Sequence, residues 1–244
     1  MSSFYEEDLA YIHQVGFSDL ARRAGEEVLA RLREEGKGSG LVVDLGSGSG
    51  LWASQLISAG FDALGFDVSE PMLRLARQTA PEAQFHRASL YQAQIPPCRA
   101  VTAFGEALNY RVCDAPSEAL LVRLFRRISV SLVQGGLFAF DVLVQSDGPP
   151  MEYRSWSAGP DWAVLVDVRE EPLESVLYRS ITLFRAAGSG YRRSQEHHVL
   201  GVLNSELLES LLLAAGFRFE RREQYGDYKL GERRLAYFAH KVAI

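Results

Sequence analysis

The chain has 244 residues, a formal net charge of -5 and 47% hydrophobic residues. That length suits one large α/β domain or a domain carrying an insertion, and that composition can bury a sizeable core. The acidic balance offers a nucleic acid no general electrostatic attraction, two cysteines cannot build a disulfide scaffold, and no apolar run approaches a membrane span.

In chain order, Met1–Gln14 is acidic and lacks the apolar stretch of a signal peptide, so a cytoplasmic protein is expected. Apolar residues recur at helical spacing over 5–35, with Gly16 breaking the run into two helices. After the flexible Gly36–Gly40, strands and helices alternate. LVVDL (41–45) is a strand, LWASQLISAG (51–60) a helix and DALGFD (62–67) a strand. SEPMLRLARQTA (69–80) is a helix with Ser69 as N-cap and Pro71 in its first turn. AQFHRA (83–88) and RAVTAFG (99–105) are strands, 117–133 is a helix stopped by Gly135-Gly136, and LFAFDVLV (137–144) is a fifth strand. This alternation predicts a parallel sheet covered by helices on both faces. From 152 to 203 the pattern becomes polar–apolar alternation broken by turn signals, which predicts an antiparallel sheet of three or four strands. Asn204 then caps a helix ending at Gly216, and two strands close the chain as an antiparallel edge of the parallel sheet.

The stretch VVDLGSGSG (42–50) carries the most chemistry. It puts Asp44 at a strand end and Gly46, Ser47, Gly48 and Gly50 between that strand and a helix N-terminus, where open α/β sheets bind ligands. Glycine lets the backbone approach a ligand closely. Asp67 ends the second strand 17 residues after Gly50, where a carboxylate accepts from both hydroxyls of a ribose. Nicotinamide dinucleotides favour GxGxxG without an acid directly before the loop, since a carboxylate there repels the pyrophosphate. DLGSGSG carries that acid, so a ligand with a cationic group and no diphosphate fits better.

At VVDLGSGSG (42–50), GFDVSEPMLRLAR (65–77), AFGEALNY (103–110) and LVQGGLFAFDVL (132–143) the sequence resembles the class I S-adenosylmethionine-dependent methyltransferases. The resemblance implies a doubly wound Rossmann-like α/β fold, with a seven-stranded, mostly parallel sheet, an antiparallel C-terminal edge and an antiparallel β insertion. It implies a helical cap at 1–36, a cofactor domain at 37–150 and 204–244, and the insertion at 151–203 as a substrate lid or dimer contact. It also implies that S-adenosylmethionine is the cofactor and S-adenosylhomocysteine the product. Asp44 and the Gly46–Gly50 loop would hold the methionine moiety and Asp67 the ribose, with Val68 and Met72 beside the adenine. Ala88, Ser89 and Leu90 would follow the third strand at the adenine, and Phe104 and Gly105 would face the transferring methyl.

The segment after the fourth strand lacks the Asn/Asp-Pro-Pro-aromatic motif of exocyclic-amine nucleobase methylation, and Pro97-Cys98 precedes that strand, the wrong end for a cytosine C5 nucleophile. Cys98 and Cys113 therefore read as structural. Asp141 and Glu106 lack an evident third ligand for magnesium, so no metal is expected. Candidates for a base or orienting group are Glu106, Tyr110, His13 and, in the pair His197-His198, His197. The expected acceptor is an O, N or C atom of a small molecule, on a monomer or homodimer with no nucleic-acid or membrane partner. A non-catalytic S-adenosylmethionine-binding regulator, a nicotinamide oxidoreductase and an RNA or protein methyltransferase stay open as alternatives.

Overall fold

A computed structural model describes residues 4–34, 36, 38–111 and 118–242. Helices α1 (Glu7–Gly16) and α2 (Asp19–Glu34) precede the alternation β1 (Leu41–Leu45), α3 (Leu51–Ser58), β2 (Asp62–Asp67), α4 (Glu70–Thr79), β3 (Gln84–Arg87) and β4 (Cys98–Ala103). Helix α5 (Glu118–Ser131) leads into β5 (Leu132–Leu143). Four strands follow, β6 (Glu152–Ala158), β7 (Trp162–Glu171), β8 (Val176–Ala187) and β9 (Gly190–Gly201). The chain then runs through α6 (Ser205–Ala214), β10 (Phe217–Arg222), β11 (Gln224–Tyr225), β12 (Tyr228–Lys229) and β13 (Arg234–Lys241).

The main sheet has seven strands in the order β10-β13-β5-β4-β1-β2-β3. Strands β1 to β5 are parallel, and β13 runs antiparallel between β5 and β10. Successive side chains of a strand point to opposite faces, and β1 uses both. Val42 enters a core with Val28, Trp52 and Leu73, whereas Val43 enters one with Phe125, Ile128 and Leu212. Burial on both faces is why these strands read as near-continuous apolar runs. β1 lies between β2 and β4, so the strand order reverses there and opens a crevice at the carboxyl ends.

Strands β6 to β9 form a separate antiparallel sheet. Its apolar face takes up α1: Leu9 and Ile12 pack with Trp162, Val164, Ile181 and Leu183. The second helix starts at Asp19, so the expected break near Gly16 is real, and it turns α1 over the crevice. Two boundaries differ from expectation. β5 begins at Leu132 rather than after Gly135-Gly136, because Leu132 already pairs with Cys98 and the register shifts before Ala100 meets Leu137. The first of the two closing strands, expected to run over 217–225, stops at Arg222, and β11 and β12 form a short hairpin that turns Tyr225 fully inward.

Candidate active site

The crevice is built from strand ends. Gly46, Gly48 and Gly50 all have positive φ, which lets the chain turn from β1 straight into α3 without side chains over the turn. Phe66 carbonyl oxygen accepts from the Gly46 and Ser47 amides, tying the loop to β2. Asp44 is buried at the tip of β1, and its Oδ1 accepts from Thr102 Oγ1 at 2.7 Å. Burial pushes its carboxyl up to about 7; the Thr102 bond opposes this and the Asp67 charge adds to it. Asp67 accepts from the Gly48 amide at 2.9 Å through Oδ2 and from the Ser69 amide at 2.8 Å through Oδ1. Ser47 Oγ is buried with no hydrogen-bond partner. All three side chains line one cavity, whose far wall is the apolar set Val68, Met72, Ala88 and Leu90.

These features test what the cavity can hold. A buried carboxylate with a single donor and a raised pKa calls for a cation, and an orphaned hydroxyl calls for a polar partner. Asp67, fixed by two amides, keeps acceptor capacity for a diol, and the apolar wall suits a flat ring. A ligand with an ammonium group, a ribose and a purine meets each demand.

A second cavity of about 390 Å³ adjoins the first. Tyr5, His13, Phe17, Leu20, Gly105 and Tyr110 line both. The roof is the N-terminal segment. Tyr5 carbonyl oxygen accepts from Ser69 Oγ at 2.7 Å, and Ser69 also caps α4. The floor holds a charged cluster: Glu106 is bound by Arg179 at 3.1 Å and by Arg234. Glu106 itself sits at φ 61, a left-handed conformation. Asp141 secures that turn, accepting from the Gly105 and Glu106 amides and from Tyr225 Oη.

Residues 42–136 match the sequence model of a family described as a methyltransferase domain. Over those residues the chain is similar to that domain family. Its fold is similar to that of the S-adenosylmethionine-dependent methyltransferase of Clostridium acetobutylicum ATCC 824, with TM-score 0.78, 17% identity and 96% of this chain on 97% of that one. The sugar N-methyltransferase KedS8 from Streptoalloteichus sp ATCC 53650 superposes with TM-score 0.77 at 19% identity, over 100% of this chain and 96% of that one. At such identities the likeness speaks for the fold. A protein of Geobacillus sp. (strain WCH70), assigned by name to the methyltransferases, is 33% identical over 122 residues, 47% of this chain and 47% of that protein. The chain thus spans about half the length of that relative.

Asp44, Gly46, Ser47, Gly48, Asp67, Val68, Met72, Ala88, Leu90, Phe104 and Gly105 all line the first cavity. Gly50 and Ser89 do not. An added Cβ on Gly50 would fall 2.9 Å from Ala76 Cα, so this glycine serves the contact of the loop with α4. Ser89 is buried, and its Oγ accepts from the Tyr91 amide, holding the turn between Ala88 and Leu90.

Of the four acid–base candidates, Glu106, His13 and Tyr110 line the second cavity. Burial pushes the Glu106 carboxyl up, but Arg179 and Arg234 together hold it below its ordinary value, which makes it an ion-pair anchor and a poor base. Burial lowers His13 to about 4, with the nearby His198 acting in the same direction, so its ring is neutral at physiological pH. His13 Nδ1 is buried without a partner. His197 faces the exposed side of β9 and bonds Ser180 Oγ at 3.1 Å. The inward ring of the pair is His198, because strand alternation sends neighbours to opposite faces.

Sequence reading passed over Trp52, Arg179, Arg234 and Glu196. Trp52, in the first turn after the glycine loop, lines the first cavity. The two arginines and the glutamate come from the insertion and the last strand, and no local pattern marks them. The aromatic residues of the insertion divide: Trp162 is core, while Trp156 and Tyr191 are exposed. Tyr11 turns away from both cavities and bonds Asp161. Burial pushes the Cys98 thiol up to about 12, in keeping with a structural role; Cys113 lies outside the described residues. Among the described residues, no cluster of His, Cys, Asp or Glu side chains is placed to hold a metal ion, and no helix is long and apolar enough to cross a membrane.

Proposed function

We propose that this chain methylates a nitrogen or oxygen of a small molecule, with S-adenosylmethionine in the first cavity and the acceptor in the second. When bound, S-adenosylmethionine supplies a methyl group on a sulfonium, an electrophile that needs no further activation. The chain's own residues then bind, orient and exclude water, which is most of what such a displacement requires. Asp44 answers the α-amino cation, Asp67 the ribose hydroxyls, and Ser47 Oγ a polar group of the methionine moiety.

The observation that carries this reading is the shared wall. Six residues line both cavities, so a nucleophile in the second lies against whatever the first presents. An acceptor cavity of about 390 Å³ supports a small molecule over a folded macromolecule. His13, neutral and lining both cavities, supports a role as a hydrogen-bond acceptor for an incoming N–H or O–H. The structural likeness to a sugar N-methyltransferase makes amino sugars and other small amines the first acceptors to screen.

The test is calorimetric titration with S-adenosylhomocysteine, repeated on Asp67→Ala. Binding by the wild-type protein that the variant loses supports the reading. An absence of binding by the wild type overturns it, and NAD(H) is then the next ligand to titrate.

A further inference from the structure

Behind the shared wall lies a buried hydrogen-bonded line. Tyr5 Oη and Tyr110 Oη are 2.9 Å apart. Tyr110 Oη lies 3.4 Å from His198 Nδ1, and His198 Nε2 lies 2.9 Å from Glu196 Oε2. The Glu196 carboxylate also accepts from the Tyr5 amide at 2.8 Å and the Glu6 amide at 2.9 Å. One carboxylate on β9 therefore fastens two elements: the start of the N-terminal cap and the ring of His198.

The polarity of the line follows from this. Two backbone amides donate to the Glu196 carboxylate, which makes it the accepting end of the line. An ionised carboxylate facing Nε2 puts the imidazole proton there and leaves the Nδ1 lone pair for Tyr110. Tyr110 then donates to His198 and accepts from Tyr5, which leaves the Oη lone pairs of Tyr5, a residue of both cavity walls, to accept. Burial raises the pKa of both phenols, Tyr5 with a further push from Tyr110, so neither rests as a phenolate.

We propose that Glu196 and His198 are positioning residues of the methyl-transfer site: closure of the cap on the Glu196 carboxylate completes a Tyr5–Tyr110–His198 proton path that faces the acceptor. This rests on the function proposed above. The proton leaving the acceptor N or O passes to Tyr5 Oη as the Tyr5 proton moves to Tyr110 Oη and the Tyr110 proton to His198 Nδ1. Both phenols end neutral, and the single positive charge sits on an imidazolium against Glu196. Because Tyr5 joins the line only when its amide is on Glu196, the path exists only with the cap shut.

The groups facing His198 are Glu196 on its own strand, Tyr110 after β4, and Tyr5 and His13 from the cap. Arg179 is its register partner on β8 and in turn holds Glu106. The test follows the ¹⁵N resonances of His198 with and without S-adenosylhomocysteine, alongside amide exchange at Tyr5 and Glu6, in wild type, Glu196→Gln and Tyr110→Phe. The wild type is expected to carry the neutral proton on Nε2. Glu196→Gln should change the ¹⁵N pattern of the His198 ring, speed exchange at both amides, and raise the S-adenosylhomocysteine dissociation rate about tenfold. Tyr110→Phe should shift the Nδ1 resonance while leaving exchange at the Glu6 amide as in the wild type, since that amide bonds Glu196 and not Tyr110. A proton on Nδ1 in the wild type, or cap exchange indifferent to Glu196→Gln, overturns the proposal. The tautomer and exchange are readable without ligand, so failure of S-adenosylhomocysteine to bind would count against the cofactor reading alone.

Discussion

Thr102 Oγ1 donates its only proton to Asp44 Oδ1 at 2.7 Å, and it can do so because Trp52 Nε1 fills its acceptor side at 3.0 Å. A three-member chain from α3 through β4 to β1 thus sets the carboxylate that faces the first cavity. Thr102→Val keeps the shape but strands both neighbours. It should cost about 2 kcal/mol of stability and weaken S-adenosylhomocysteine binding about tenfold, with Thr102→Ser restoring most of both. Urea unfolding and calorimetry check this; an affinity equal to wild type would show that the hydroxyl does not orient Asp44.

Asp44 should make ligand binding and stability respond to pH in opposite directions. Burial raises its carboxyl to about 7, above the unfolded value, so the native state holds a proton that the unfolded chain has lost. Its stabilising contribution is full below the unfolded pKa and falls away as pH rises through about 7. Binding of the cationic amino group needs the ionised form, so S-adenosylhomocysteine affinity should rise from pH 6 to pH 8. Asp44→Asn should flatten that rise, bind more weakly, and gain thermal stability over wild type more at pH 8 than at pH 5. Melting curves and titrations at the two pH values decide it.

Gly65 in β2 has no room for a side chain. An added Cβ would fall 2.6 Å from Phe85 Cδ1 and 2.7 Å from Ser47 Oγ. Gly65→Ala should cost about 1–3 kcal/mol through overpacking. The same methyl pushes the glycine loop through Ser47, so the variant should also lose affinity for S-adenosylhomocysteine. Unfolding paired with calorimetry would refute this if stability fell and affinity did not.

Glu106 should prove structural before it proves catalytic. Its carboxylate is shared by Arg179 and Arg234 in a largely buried cluster. Glu106→Gln leaves two guanidinium groups with one neutral acceptor, and should cost about 2 kcal/mol or more. Since the carboxyl is held below its ordinary value, any pH–rate profile of the wild type near neutrality should survive in the variant. A profile that loses its acidic limb in Glu106→Gln would instead make it the base.

Much of the frame was legible without coordinates. The loop DLGSGSG, Asp67 at the next strand end and the Ser69 cap with Pro71 behind it are local patterns, each set by backbone geometry within a few residues. They mark the cofactor wall because its carboxylates and glycines sit at or just after the ends of parallel strands. The alternation after Pro150 likewise marked the antiparallel sheet.

The second cavity was legible only in part: Glu106, His13 and Tyr110 were named and line it, but the partners that reach them come from distant segments. Tyr5 meets Tyr110 across 105 residues and Glu196 across 191. Alternation showed that His197 and His198 face opposite ways, but only the packing of β9 against the cap decided that His198 is the inward one. By itself, then, the sequence determined the sheet, the loop and the carboxylates of the cofactor wall, whose interactions are short-range and periodic. The tertiary structure alone decided which ion pairs, rings and carboxylates close over the acceptor, since those contacts exist only when the cap, the insertion and the last strand meet.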